Sequence, residues 1–141
     1  MGGGGLFVLV VCAAVWSVAL AYWDLRWGRL PDFLTLPAGA LALGSIWLWP
    51  AAVWALVWPA FYLLGGRGIG GGDIKLALPL GAAVAVSANH FALVWVLGAI
   101  GISGLFTLLI ACGAGRREVA HGPSMLLAAW LTTTGAHLWL S

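Results

Sequence analysis

Four long stretches of this chain, residues 1–23, 33–66, 76–115 and 119–141, contain no Asp, Glu, Lys or Arg. The six basic and four acidic residues all fall in the three short patches between them. Only 7% of the residues are charged and 63% are hydrophobic, whereas a soluble domain carries charge on about a quarter of its residues. A core built from 141 residues cannot hide that much apolar surface from water, so the solvent must be lipid. Backbone groups in lipid have to be bonded internally, which leaves helices or a closed barrel. The Gly, Ala, Leu and Val runs lack the alternation of barrel strands. The sequence therefore predicts an all-α polytopic membrane protein. With no long polar stretch, residues 1–141 read as a single integral-membrane domain. No basic run is long enough to engage nucleic acid.

A helix needs about 20 apolar residues to cross the hydrocarbon, and fewer if its ends lie in the interface. On that measure six transmembrane helices are expected, at Leu6–Trp23, Phe33–Trp49, Ala51–Leu64, Asp73–Ser87, Phe91–Cys112 and Ser124–Leu140. The boundary at Trp49-Pro50 is the least sharply marked. Arg26 and Arg29 follow the first helix, Arg67 and Lys75 bracket the start of the fourth, and Arg116 and Arg117 follow the fifth. All basic residues thus fall in the first, third and fifth connections, which the positive-inside rule places in the cytoplasm, with the N- and C-termini outside. Ala19-Leu20-Ala21 has the look of a signal-peptidase site, but Met1–Gly5 lacks a positive n-region, so an uncleaved first helix is expected. Most tryptophans sit near helix ends as an interfacial belt, while Trp54 and Trp95 are expected to pack between helices. Gly98, Gly101 and Gly104 form a small-residue face suited to close helix contact. Cys12 and Cys112 lack metal-site spacing and are expected only to pack.

The acids carry the chemical information. Asp24, Asp32, Asp73 and Glu118 share the cytoplasmic side in this topology, and ionisable groups on membrane helices are functional candidates by default. Asp73 follows a run of glycines, Gly65-Gly66-Arg67-Gly68-Ile69-Gly70-Gly71-Gly72, and opens an apolar helix. An acid at a helix N-terminus is also what capping requires. A cap does not need the glycines, which permit positive φ and close approach of another backbone. The Lys-Ser/Thr pair of a phosphate-binding loop is missing after them, and Lys75 reads as a cytoplasmic anchor. Asp24 sits one residue past the first predicted helix, where pairing with Arg26 or Arg29 is the simplest role. Two carboxyls held close together cannot both ionise, so one serves as base and the other as acid. Physics alone leaves Asp24 and Asp32 as rival partners for Asp73.

Three segments together resemble the type IV prepilin peptidases, a family of GxGD membrane aspartic proteases. Gly70-Gly71-Gly72-Asp73 matches GxGD, and Ile74-Lys75-Leu76 matches its usual continuation. Asp24, followed by Arg29-Leu30-Pro31-Asp32, resembles the family's other catalytic stretch, which usually ends in Asn. Gly122-Pro123 resembles its terminal Gly-Pro segment. The resemblance implies that Asp24 and Asp73 are the catalytic pair, with Gly70, Gly72, Lys75, Arg29, Pro31, Asp32, Gly122 and Pro123 around them. Asp32 is the clearest departure. His121 stands where relatives often carry an aromatic residue and is given no role, and His90 and His137 read as interfacial residues at the outer face.

Larger relatives have a cytoplasmic insertion with paired cysteines, associated with zinc and N-methylation. The first cytoplasmic loop here is too short to resemble it, so neither a methyltransferase nor a zinc insertion is expected, and the chain looks like the short, peptidase-only branch serving Flp (tight-adherence) pili. The resemblance implies an aspartic endopeptidase of the bacterial cytoplasmic (inner) membrane. It would need no cofactor or metal, would contact membrane lipids, and would cut the leaders of prepilins and pseudopilins at the cytoplasmic face. The alternatives are an acid-coupled transporter, for which a mid-span charge at a broken helix would be expected, and a non-catalytic pilus-assembly subunit, for which both acids need not be retained.

Overall fold

The computed structural model describes residues 3–65, 69–115 and 119–141. Arg67, Arg116, Arg117 and Glu118, together with Gly66 and Gly68 of the glycine run, lie outside the described residues. Six α-helices follow one another: α1 (Gly3–Trp27), α2 (Asp32–Leu48), α3 (Val57–Gly65), α4 (Gly71–Ala88), α5 (Ala92–Ala114) and α6 (Gly122–Leu140). There is no strand among the described residues. Helix α1, and the run Gly71–Ala114 that contains α4 and α5, are long and apolar enough to cross a bilayer; the stretches Asp32–Leu48 and Pro50–Gly65 are apolar but shorter.

The boundaries expose what the hydropathy pattern could not resolve. Helix α1 runs on to Trp27, so Asp24 lies in its last turn and not beyond it. Gly28, at φ +60°, then closes the helix, its N–H bonded to the Asp24 carbonyl at 2.8 Å. At the second connection, Trp49 is extended and Pro50 opens a seven-residue 3-10 helix, Pro50–Leu56, that leads into α3. In a 3-10 helix residues three apart eclipse. Ala52 and Ala55 therefore share one face, Trp58 continues it into α3, and all three are fully buried.

Helix α4 is the hub. It packs against α2, the 3-10 segment, α3, α5 and α6, and buries Leu76, Ala77, Leu80, Gly81, Val84 and Ala85. Small residues make the close approach possible: a Cβ on Gly81 would stand 2.8 Å from the Ala55 carbonyl oxygen. Helix α1 docks mainly on α6, through a hydrogen bond from the Trp130 ring N–H to Ser17 Oγ at 3.0 Å. The Trp16 ring N–H reaches the Leu34 carbonyl of α2 at 3.1 Å. Elsewhere the surface is apolar, with Phe7, Val15, Val18, Leu41, Trp47, Leu64, Val94 and Leu108 exposed. Soluble monomers rarely expose such continuous apolar area, and lipid is the solvent it suits.

Two packing expectations fail. Gly98, Gly101 and Gly104 have no atom of another element within 4 Å of a built Cβ, because α5 turns Ala92, Val96, Ala99, Ile100 and Ser103 inward instead. Trp54 is exposed, while Trp95 does pack, lying 3.2 Å from the Cβ position of Gly135. Cys12 and Cys112 are both exposed, on α1 and α5. Gly81→Ala should therefore destabilise the protein by about 1–3 kcal/mol, the usual penalty of overpacking. Gly101→Ala should be neutral or stabilising, and thermal unfolding in detergent micelles separates the two.

Candidate active site

Three helix ends carry the two aspartates and their backbone contact, the last turn of α1 and the first turns of α4 and α6. Asp24, in the last turn of α1, is only 7% exposed. It pairs with neither Arg26 nor Arg29; its Oδ2 accepts the backbone N–H of Gly122 at 3.0 Å. Gly122 opens α6, so a carboxylate sits on the positive end of a helix, where a negative charge is favoured. The glycine is required sterically as well, since a Cβ there would lie 2.6 Å from Asp24 Oδ2. Pro123 follows in the first turn of α6, where its fixed φ suits helix initiation and its missing N–H is not needed.

Asp73 is the third residue of α4, three positions past the N-cap. Gly70 is the N-cap, in an extended conformation at φ −66°, and its carbonyl accepts the Asp73 N–H at 3.0 Å. The Asp73 carboxylate also meets the Gly70 N–H, so a capping contact coexists with its place in the cluster. The glycine run works differently from expectation. Gly71 and Gly72 are helical, and none of the described glycines from Gly65 to Gly72 has a positive φ. What Gly72 supplies is close approach: its Cβ position lies 3.1 Å from Leu30 Cβ. That contact seats Leu30, between Arg29 and Pro31, against the start of α4. Pro31 caps α2 and accepts N–H bonds from Leu34 and Thr35 at 3.1 and 3.2 Å.

Asp24 and Asp73 are electrostatic neighbours, the charge of Asp24 being felt directly at Asp73. Asp32 is not part of this pair. Its Oδ1 accepts the ammonium of Lys75 at 2.7 Å, and both side chains are largely in solvent. An exposed ion pair of this kind is worth no more than about 1 kcal/mol. Lys75 therefore has a partner rather than serving only as an anchor, and Arg29 is exposed.

Sequence reasoning missed a polar cluster beside the pair. Tyr62 of α3 is 5% exposed, and its hydroxyl lies 2.6 Å from His121 Nε2. Thr107 Oγ1 of α5 meets His121 Nδ1 on the other side of the ring. Ser103, one turn before Thr107 and fully buried, stands 3.4 Å from both Tyr62 Oη and His121 Nε2. Tyr62 in turn feels the charge of Asp73. Burial lowers the pKa of His121 from its usual 6.5 and keeps the ring neutral. The available signal was Ser103 and Thr107 at helical spacing on an otherwise apolar helix.

Residues 10–116 match the type IV leader peptidase family. The chain belongs to that family. Among relatives, it is 30% identical to a prepilin leader peptidase/N-methyltransferase of Neisseria gonorrhoeae, over 93% of this chain and 54% of the relative. It is 31% identical to the protein of the same name from Aeromonas salmonicida, over 86% of this chain and 46% of the relative. The Aeromonas hydrophila counterpart is 30% identical over the same shares. The chain thus spans about half the length of the curated relatives it matches. No solved structure matches it. The leader-peptidase match takes in both Asp24 and Asp73, and the Gly122 contact lies just beyond its end.

If Gly122 is glycine because of Asp24, the two positions must be coupled. Gly122→Ala should cost about 1–3 kcal/mol of stability, as overpacking does. In an Asp24→Ala background the same substitution should cost less, the difference being the coupling measured by a double-mutant cycle.

Proposed function

We propose that this chain is a prepilin peptidase in which Asp24 and Asp73 form the catalytic dyad. The observation that carries the reading is the seating of Asp24 on the Gly122 N–H, beside Asp73, where a Cβ on residue 122 would crowd the carboxylate. It brings together the three segments that resemble the peptidases' motifs, from residues nearly a hundred positions apart. Six helices, with every Lys and Arg either in the first, third and fifth connections or close to the helix ends that flank them, support six spans, both termini outside and the dyad at the cytoplasmic face.

In the proposed reaction a water lies between the two carboxyls. The ionised aspartate takes a proton from it as it attacks the scissile carbonyl. The protonated aspartate hydrogen-bonds the carbonyl oxygen as charge builds there, and a proton then passes to the leaving amine. The two groups titrate as a coupled pair, and no step needs a metal or cofactor. The substrates are prepilins or pseudopilins, whose apolar segment lies in the lipid beside the bundle while the leader reaches the cytoplasmic face. The relatives' names join peptidase to N-methyltransferase activity. We assign this single domain the peptidase chemistry alone, as in the short branch serving Flp-type pili, since its two cysteines stand on separate helices, unpaired. The bacterial cytoplasmic membrane is the corresponding location.

Cleavage of a co-expressed prepilin tests the assignment. Asp24→Asn and Asp73→Asn should each lower the rate by roughly 10²-fold or more, the usual contribution of a positioned acid or base. Asp32→Asn should stay within a few-fold of wild type, because its carboxylate faces Lys75 and solvent. Wild-type cleavage by either dyad variant, or loss of cleavage in Asp32→Asn alone, would refute the reading.

A further inference from the structure

His121 is half-buried, lies immediately before the residue that holds Asp24, and is not used by the proposed reaction. Its role can be read from the protons of its neighbours. Thr107 has one hydroxyl proton, and Oγ1 stands within hydrogen-bonding distance of both the Ser103 carbonyl one turn back, at 3.0 Å, and His121 Nδ1. With that proton on the carbonyl, which can only accept, the threonine oxygen accepts from the ring and Nδ1 carries the hydrogen. In the neutral ring that burial favours, Nε2 is then an acceptor. The Tyr62 hydroxyl, 2.6 Å away, donates to it. The Ser103 hydroxyl, 3.4 Å from Tyr62 Oη, is then free to donate to the phenol oxygen. This direction of hydrogen bonding satisfies the whole cluster.

The cluster joins three elements. Tyr62 is on α3, Ser103 and Thr107 are on α5, and His121 is the residue on which α6 starts, its carbonyl accepting the Met125 N–H at 3.1 Å. The next residue, Gly122, donates to Asp24. Any rotation of the His121 backbone would swing the Gly122 N–H off the carboxylate, and both faces of the imidazole edge are bonded against such a rotation.

We propose that His121 is a positioning residue for Asp24: protonated on Nδ1 and accepting at Nε2, it pins the head of α6 to α3 and α5 and so fixes the Gly122 N–H on the carboxylate. The role rests on the reading of Asp24 as a catalytic group, but the bonding pattern does not. His121 touches neither the water nor the peptide; it acts through the backbone of its neighbour. His121→Phe keeps the ring's bulk and leaves Tyr62 and Thr107 without their partner, whereas His121→Gln retains a carbonyl oxygen to accept from Tyr62.

The test has two arms. In the His90→Gln, His137→Gln double variant, His121 is the sole imidazole, and nitrogen NMR in detergent micelles at neutral pH should show the Nδ1–H tautomer. An Nε2–H tautomer or an imidazolium would overturn the proposal whatever the enzyme does. In the cleavage assay, His121→Phe should lower kcat by roughly 10-fold or more with KM within about twofold, since small displacements of a reacting group are costly. His121→Gln should recover most of that loss. An unchanged kcat in His121→Phe overturns the proposal while leaving the dyad standing, and wild-type cleavage by Asp24→Asn removes the dyad while leaving the tautomer to be decided by NMR. If His121→Phe does not fold, Thr107→Val takes its place; it deletes the Nδ1 acceptor and should likewise lower kcat rather than raise KM.

Discussion

The site depends on one contact, the Gly122 N–H donating to the Asp24 carboxylate. A carboxylate that is 7% exposed would be expensive to keep charged among apolar helices. The first turn of α6 offsets that cost with an unpaired backbone donor and the positive end of the helix dipole. The geometry leaves 2.6 Å where a Cβ would stand, so residue 122 is fixed by sterics and residue 123 by the dihedral that starts a helix. Other contacts hold the two partners in place. Trp130 and Ser17 lock α6 against α1, and the His121 cluster ties the head of α6 to α3 and α5. Helix α4, packed at the centre of the bundle, then presents Asp73 to the same place.

Lipid as the solvent explains how polarity is distributed. Away from the site the hydroxyls of Ser17, Ser45, Ser87 and Thr132 bond back to carbonyls of their own helices, which is the usual way to carry a polar group through hydrocarbon. Among the described residues, a cluster of side chains bonded between elements is found beside the aspartates, where Tyr62 of α3 and Ser103 and Thr107 of α5 meet His121 at the head of α6. Each such bond must repay burial of both groups, so the cluster is rigid where it is satisfied. Rigidity is what a pair of carboxyls sharing a proton requires if their separation is to be maintained. The exposed Lys75–Asp32 pair, by contrast, sits where water screens it and constrains little.

Much of this was legible in the sequence because charge and apolar length are strong, one-dimensional signals. All six helices were placed by their uncharged runs, with ends within a few residues except at α3, whose expected start at Ala51 falls in the 3-10 segment before Val57. What escaped was geometry with no compositional mark. Asp24 reads as a loop residue until α1 is seen to run to Trp27. The 3-10 segment Pro50–Leu56 has the same composition as an ordinary span. The glycines misled in two ways. Gly98, Gly101 and Gly104 look like a packing face yet meet nothing among the described residues, while Gly122, a single glycine beside a proline, is tightly hemmed in by the Asp24 carboxylate. Asp24 and Asp32 could not be ranked as partners of Asp73 from residue spacing, since both lie in the same charged patch. In the fold Asp24 is buried and Asp32 is exposed. The Tyr62–His121 cluster stayed hidden because its members are scattered over three segments, each polar group set among apolar residues.

The account turns on two carboxyls acting as one acid–base unit, and the pH dependence of single-turnover cleavage tests that most directly. A purified preparation in micelles, given a prepilin substrate, should show a rate that rises and then falls between about pH 4 and about pH 9, with two apparent pKa values belonging to the pair. The rate should be greatest where one aspartate is ionised and the other protonated. A profile that stays flat across that range, or that rises on one side without falling on the other, would contradict a shared proton between Asp24 and Asp73.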